Sequence, residues 1–339
     1  MRGENMKKII SVLVVALLVV LVLVSFTEGK AKPVSYRLAH TGAAGGHFDL
    51  IAHEFVKELD RLSEGRLKGT VYPAEQLGPE TQVIQNVQTN VIEFTIIGHD
   101  PLAQFSPNTM LLSLPFLFAN HEQAFAVLDS EVGEQLEAEL LKRKLHILGW
   151  SNNGARVYTN NTRPLTKPSD FVGLKFRSPQ SPVNLAVTKS LGGVPSAIPY
   201  GEVYTAVQQK TIDGQENAVI NIYPSKLYEV QKYMSMTNHI LSFVVVVASE
   251  GFYAKLPAKD QALVDQAAAA ATQWHRDYVN GLTSELTQKM IDQGMKVNYI
   301  DDLTPFQKAT SSVHGEYVGK VIDQSLYNKT QEILANLGK

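Results

Sequence analysis

Arg177 is the side chain in this sequence best placed to do chemistry. It follows Leu174, Lys175 and Phe176 and precedes Ser178 and Pro179, so a strand ending there carries its guanidinium to the strand's carboxyl end. Open parallel sheets bind their ligands at such ends. A buried arginine is costly unless it is paired, and its planar fork matches a carboxylate through two parallel hydrogen bonds. The partner is either the carboxylate of an acid ligand or an Asp or Glu of the protein itself, and the local sequence leaves both open. Asn217, closing the run Asp213, Gly214, Gln215, Glu216, reads as a second polar group at a turn, either a turn former or a ligand contact.

Other chemistries find little support. There is no Gly-x-Ser-x-Gly elbow, phosphate loop, Gly-x-Gly-x-x-Gly turn or His-Glu-x-x-His helix in the sequence. Nine histidines are present, but the spacing of His40, His47 and His53 does not set three ligands on one helical face. The absence of cysteine excludes thiolate metal sites, disulfides and a lipid-modified N-terminal cysteine. The expectation is a binding protein with no catalytic residues, no metal and no cofactor.

The elements that must hold these residues follow from length and periodicity. A chain of 339 residues is long for one core and suits two lobes. With 31 Lys plus Arg against 33 Asp plus Glu, it offers nothing to a polyanion, so nucleic acid is not an expected partner. Its 44% apolar and 19% charged residues are those of an ordinary globular protein. Lys7 and Lys8 precede an apolar run over 9–26, with Gly29 and Ala31 at a cleavage-like position. That pattern reads as a secretory signal over 1–31, or as a retained anchor, and implies export to the periplasm.

Beyond it, strands are expected at 36–40, 67–72 and 92–97, with amphipathic helices at 48–62 and from Pro79 onward. One helix is expected over 122–141, then strands at 146–150 and 156–160 on either side of a turn at Asn152, Asn153 and Gly154, the candidate hinge. The row Val244 to Val247 reads as a buried central strand. The stretch 257–294 reads as one helix of about 50 Å spanning both lobes, or as two helices broken near Gly281. The fold class expected is α/β, with two lobes and mixed, mostly parallel sheets.

Several segments together resemble the substrate-binding proteins of tripartite ATP-independent periplasmic (TRAP) transporters. They are Gly173 to Arg177, Pro199 to Tyr204 with Gly201 and Glu202 between, and Asp213 to Asn217. Tyr72 and Pro73, Gln76 to Gly78, and Leu114 to Phe116 look like that family's first lobe. The resemblance implies that Arg177 grips a ligand carboxylate, that Asn217 hydrogen-bonds near it with Gln215 beside it, and that Tyr200 packs against the ligand. It makes Arg156 a second basic position and brings His40, Thr41, Gly98, His99 and Glu80 to the cleft. Sialic-acid binders carry a glutamate where this chain has Gly98, which speaks against sialic acid. The lobes would be 32–153 with 243–282, and 154–242 with 283–339. The partners implied are a small organic acid and the small and large membrane permease subunits. A binding protein for an ATP-driven importer or a sensor is the nearest alternative, and a secreted enzyme a more distant one.

Overall fold

Apolar rows in this chain occur at two periods, and each period finds its matching element. The computed structural model describes residues 32–338, so the signal reading over 1–31 lies outside the described residues. The strands are β1 (Val34–His40), β2 (Leu67–Tyr72), β3 (Phe94–Gly98), β4 (Leu145–Asn160) and β5 (Lys175–Ser178). They continue with β6 (Val194–Ala197), β7 (Gly214–Ala218), β8 (Tyr233–Met236), β9 (Leu241–Ser249) and β10 (Lys296–Tyr299).

The sheet runs β2-β1-β3-β9-β4-β7-β5-β6, with β8 and β10 joined to it through β4. It is mixed. β1 with β3, β5 with β6 and β7, and β8 with β10 are parallel, as βα alternation requires. The centre is antiparallel, because β9 and β4 run against their neighbours. Val244, Val245, Val246 and Val247 of β9 are all fully buried between β3 and β4, as a doubly covered strand demands.

β4 corrects the expectation of two strands around a turn. It is one strand of 16 residues. Its first part pairs with β9 and its last five residues with β7 and β8, so it belongs to both halves of the molecule. Asn152, Asn153 and Gly154 form a register shift inside it. Gly154 sits at φ +88°, and a Cβ there would lie 3.0 Å from the Cβ of Ala218, so both backbone angle and space require glycine. Asn217 likewise stands in a strand, β7, and not at a turn.

The helices divide the core. Phe48, Ile51, Phe55 and Leu59 of helix His47–Leu62 pack on Leu38, Phe94, Val244 and Val246, closing one face of the first half. Burying each such side chain contributes about 1.5–3 kcal/mol. Val264, Ala267, Ala268 and Ala271 of helix Ala258–Val279 close the same core, their small side chains letting the two helices approach. The helical run from Pro257 is broken at Asn280 and Gly281, where Gly281 takes φ +78°. Helix Leu282–Asp292 then buries Leu286 and Met290 in the core of the second half with Val157, Ile220 and Met234. A straight 35-residue rod could not follow both cores, so the glycine turns the chain where one core ends.

The stretch expected as a single helix over 122–141 is two, His121–Leu128 and Glu131–Leu141, with the Ser130 hydroxyl capping Val132 N–H. The final helix, Gln324–Leu337, packs against both of these, with Lys329 paired to Glu131.

Candidate functional site

The ends of β1, β3, β5 and β7 and the register shift of β4 converge on one cavity. It is lined by Thr41, Phe48, Glu80, Gly98, Asp100, Asn153, Arg156, Arg177, Pro179, Tyr200, Asn217 and Asn221. The density of polar groups around it suits a polar ligand.

Arg177 is 3% exposed. Its Nε donates to the carbonyl of Ile198 at 2.8 Å, and its guanidinium stands 5.7 Å from the centroid of the Tyr200 ring. Its two terminal nitrogens have no hydrogen-bond partner among the described residues, and it forms no ion pair there. Burial, and then the charge of Arg156, pull its pKa below the usual arginine value.

Arg156 is as deeply buried, at 2% exposed, but is fully engaged. Its Nε donates to Glu216 Oε2, its Nη2 to the Glu216 carbonyl at 3.0 Å, and its Nη1 reaches Asp100 Oδ2 at 3.4 Å and Ser242 Oγ at 3.5 Å. Burial works against the Glu216 anion, but Arg156 and His239 outweigh it and hold its pKa at about 2.

Glu80 opens helix Glu80–Gln88 behind Pro79 and retains some exposure to the cavity. Its Oε1 accepts the Gly98 N–H at 2.8 Å. Enclosure by protein pushes its pKa up to about 7, with Asp100 adding to the rise and Gly98 and Arg177 opposing it.

A polar chain runs behind Asn217. Asn221 Nδ2 donates to Asn153 Oδ1 at 2.9 Å and Asn217 Oδ1 at 3.0 Å, so its own Oδ1 is the acceptor 2.8 Å from His47 Nε2. His47 therefore donates from Nε2 and accepts at Nδ1 from His275 Nε2 at 3.1 Å, and His275 Nδ1 accepts from the Ser151 hydroxyl at 2.8 Å. Burial drives His47 to about 4 and His275 well below its usual value, so both are neutral. Asn217 Oδ1 also accepts from Ala218 N–H at 2.8 Å, which leaves its amide NH₂ as the group offered to the cavity.

Of the residues expected at the site, Arg177, Arg156, Asn217, Tyr200, Glu80, Thr41 and Gly98 line the cavity. Gln215, His40 and His99 do not. Gln215 is fully buried and donates to Thr159 Oγ1. His40 pairs with Asp49, whose other oxygen holds Gly45 N–H in the loop after β1. His99 bonds Ser113 Oγ and the Phe243 N–H. Phe48, Asp100, Asn153, Pro179 and Asn221 line the cavity without having been expected at the site, Asn153 having been read only as part of the hinge. Asn221 alone carried a local signal, as a polar residue inside the apolar run Val219 to Ile222, four positions after Asn217. Next in sequence to lining residues, Gly201 N–H donates to Glu75 Oε1 at 3.0 Å and Thr81 Oγ1 donates to Gln180 Oε1 at 2.8 Å, joining segments 75–81 and 180–201 beside the cavity.

The model of the family described as bacterial extracellular solute-binding protein, family 7, matches residues 38–320. The chain is 34% identical over 298 residues to the 2,3-diketo-L-gulonate-binding periplasmic protein of Escherichia coli strain K12, covering 87% of this chain and 89% of that one. It superposes on the sugar acid binding protein of Advenella mimigardefordensis strain DPN7T in complex with galactonate with a TM-score of 0.87 at 27% identity, covering 91% of this chain and 99% of the other. With a TRAP periplasmic solute binding protein from Polaromonas sp. JS666 bound to D-erythronate, the TM-score is 0.85 at 30% identity, with 89% and 98% covered.

Proposed function

The chain belongs to family 7 of the bacterial extracellular solute-binding proteins, the binding proteins of TRAP transporters, and from that premise we propose that it captures a small organic acid on Arg177 and hands it to a membrane permease. The acid's carboxylate takes the two terminal nitrogens of Arg177, the Asn217 amide donates beside it, and Tyr200 flanks the pair. Glu80, Thr41 and Gly98 close over the acid from the other wall. The function is transport in the periplasm, without turnover of the bound acid, and the receiving partners are the small and large permease subunits. The lobes are 32–153 with 243–282, and 154–242 with 283–339, hinged at the register shift of β4.

The observation that carries this reading is the guanidinium of Arg177, buried yet bonded only to one carbonyl. A charge in that state needs an anion from outside. Truncating one partner of a buried, hydrogen-bonded charge pair costs about 2–5 kcal/mol, so Arg177→Ala weakens acid binding by roughly thirtyfold to several thousandfold. Arg177→Lys also loses most affinity, because a point charge cannot reproduce the fork. Calorimetry with galactonate and 2,3-diketo-L-gulonate checks both, and unchanged affinity in either variant removes Arg177 from the site.

A further inference from the structure

The carboxylate site proposed above has a second half, and its charges select the far end of the acid. Four charged side chains line the cavity: Arg156, Arg177, Glu80 and Asp100. Arg156 is already neutralised by Glu216 and Asp100, so Arg177 is the one cation left for a ligand anion among the described residues. The Gly98 N–H occupies Oε1 of Glu80, and Oε2 has no protein partner among the described residues.

A carboxylate at each end of a ligand would put its second charge against Glu80, whose carboxylate has no cation partner among the described residues, with no free cation to receive it. Like charges brought together in an enclosed site oppose binding strongly. A hydroxyl placed there meets the opposite situation, since it can donate to Glu80 Oε2, which has no protein partner among the described residues. We infer that the site takes a monocarboxylate carrying hydroxyl groups along its chain, and discriminates against dicarboxylates of the same length. Glu80, with its pKa near 7, is the selecting group: ionised it repels a second carboxylate and accepts a hydroxyl, and protonated it repels less.

D-erythronate, butyrate and succinate test this directly, because each has four carbons and they differ only in hydroxyls and in the charge of the far end. Calorimetric titration of the protein at pH 7.5 is expected to rank erythronate at least about tenfold tighter than butyrate, a charged-group hydrogen bond being worth about that factor or more, with succinate weakest. Glu80→Gln is expected to narrow the gap between erythronate and succinate by about tenfold at the same pH, where succinate keeps both charges. Succinate binding as tightly as erythronate, and losing that binding in Arg177→Ala, overturns the inference while leaving acid capture intact. No binding of these acids or of galactonate at millimolar concentration sinks both. Should Glu80→Gln fail to fold, the ranking in the parent protein decides alone.

Discussion

Arg156 and Arg177 stand in one cavity, equally withdrawn from water, and differ in what holds their charge. Arg156 is held by Glu216, Asp100 and a backbone carbonyl, all supplied by the protein. Arg177 has one carbonyl and the face of a tyrosine. Burial alone therefore does not identify a binding arginine. The same residue type in the same cavity serves the fold when the chain provides the anion, and serves a ligand when it does not.

The contrast can be broken most forcefully at Glu216. Glu216→Gln leaves Arg156 with Asp100 alone, at 3.4 Å, and so breaks the closer of two buried ion pairs at a cost of about 3 kcal/mol. In a chain of this size that lowers Tm by roughly 5 °C. A shift near zero in differential scanning calorimetry would mean that the pair contributes no stability.

Acid titration comes next in size. Burial holds His47 and His121 at about 4, below their ordinary 6.5, so the unfolded chain binds more protons between those values and stability falls as pH drops through that window. Glu80, raised to about 7 from 4.5, acts in the opposite sense over an overlapping range and offsets one of the two. His275, held well below its usual value, adds to the histidine side, so the net effect between pH 6.5 and 4 is a loss of stability. Glu216, depressed to about 2, adds its own loss only between pH 4.5 and 2. Denaturant titrations at several pH values check the sign, and the Glu216→Gln variant loses the lower window alone.

The smallest effect sharpens the contrast from the other side. Arg177→Leu, measured without acid, leaves stability unchanged or raises it by about 1 kcal/mol, because it removes a buried charge that the protein does not pair. A loss of several kcal/mol in urea unfolding would place Arg177 with Arg156, as a structural group.

Arg177 was legible in the sequence because its signal is local, a strand-like run ending in arginine before Ser178 and Pro179. What neutralises each arginine was not legible. Glu216 lies 60 residues from Arg156 and Asp100 lies 56 away, while the His47 contacts with Asn221 and His275 span 174 and 228. No periodicity reports such pairings. The same blindness explains β4. Asn152, Asn153 and Gly154 are turn residues by type, and pairing with Ser242 and Phe243 on another strand keeps them within β4 as a register shift. At Asn280 and Gly281 the glycine was visible, but local helix propensity cannot weigh it against two cores lying in different directions. Thr41, Gly98 and Tyr200 reached the cavity through the family resemblance, not through any pattern of their own.

β4 has a consequence for how this molecule can be taken apart. Its sixteen residues donate and accept for strands on both sides, so ownership of that ribbon cannot be assigned to either half. Excising one half strips the other of a neighbour and bares a raw, sticky margin of unpaired backbone. The two halves are separable as shapes and inseparable as polypeptides.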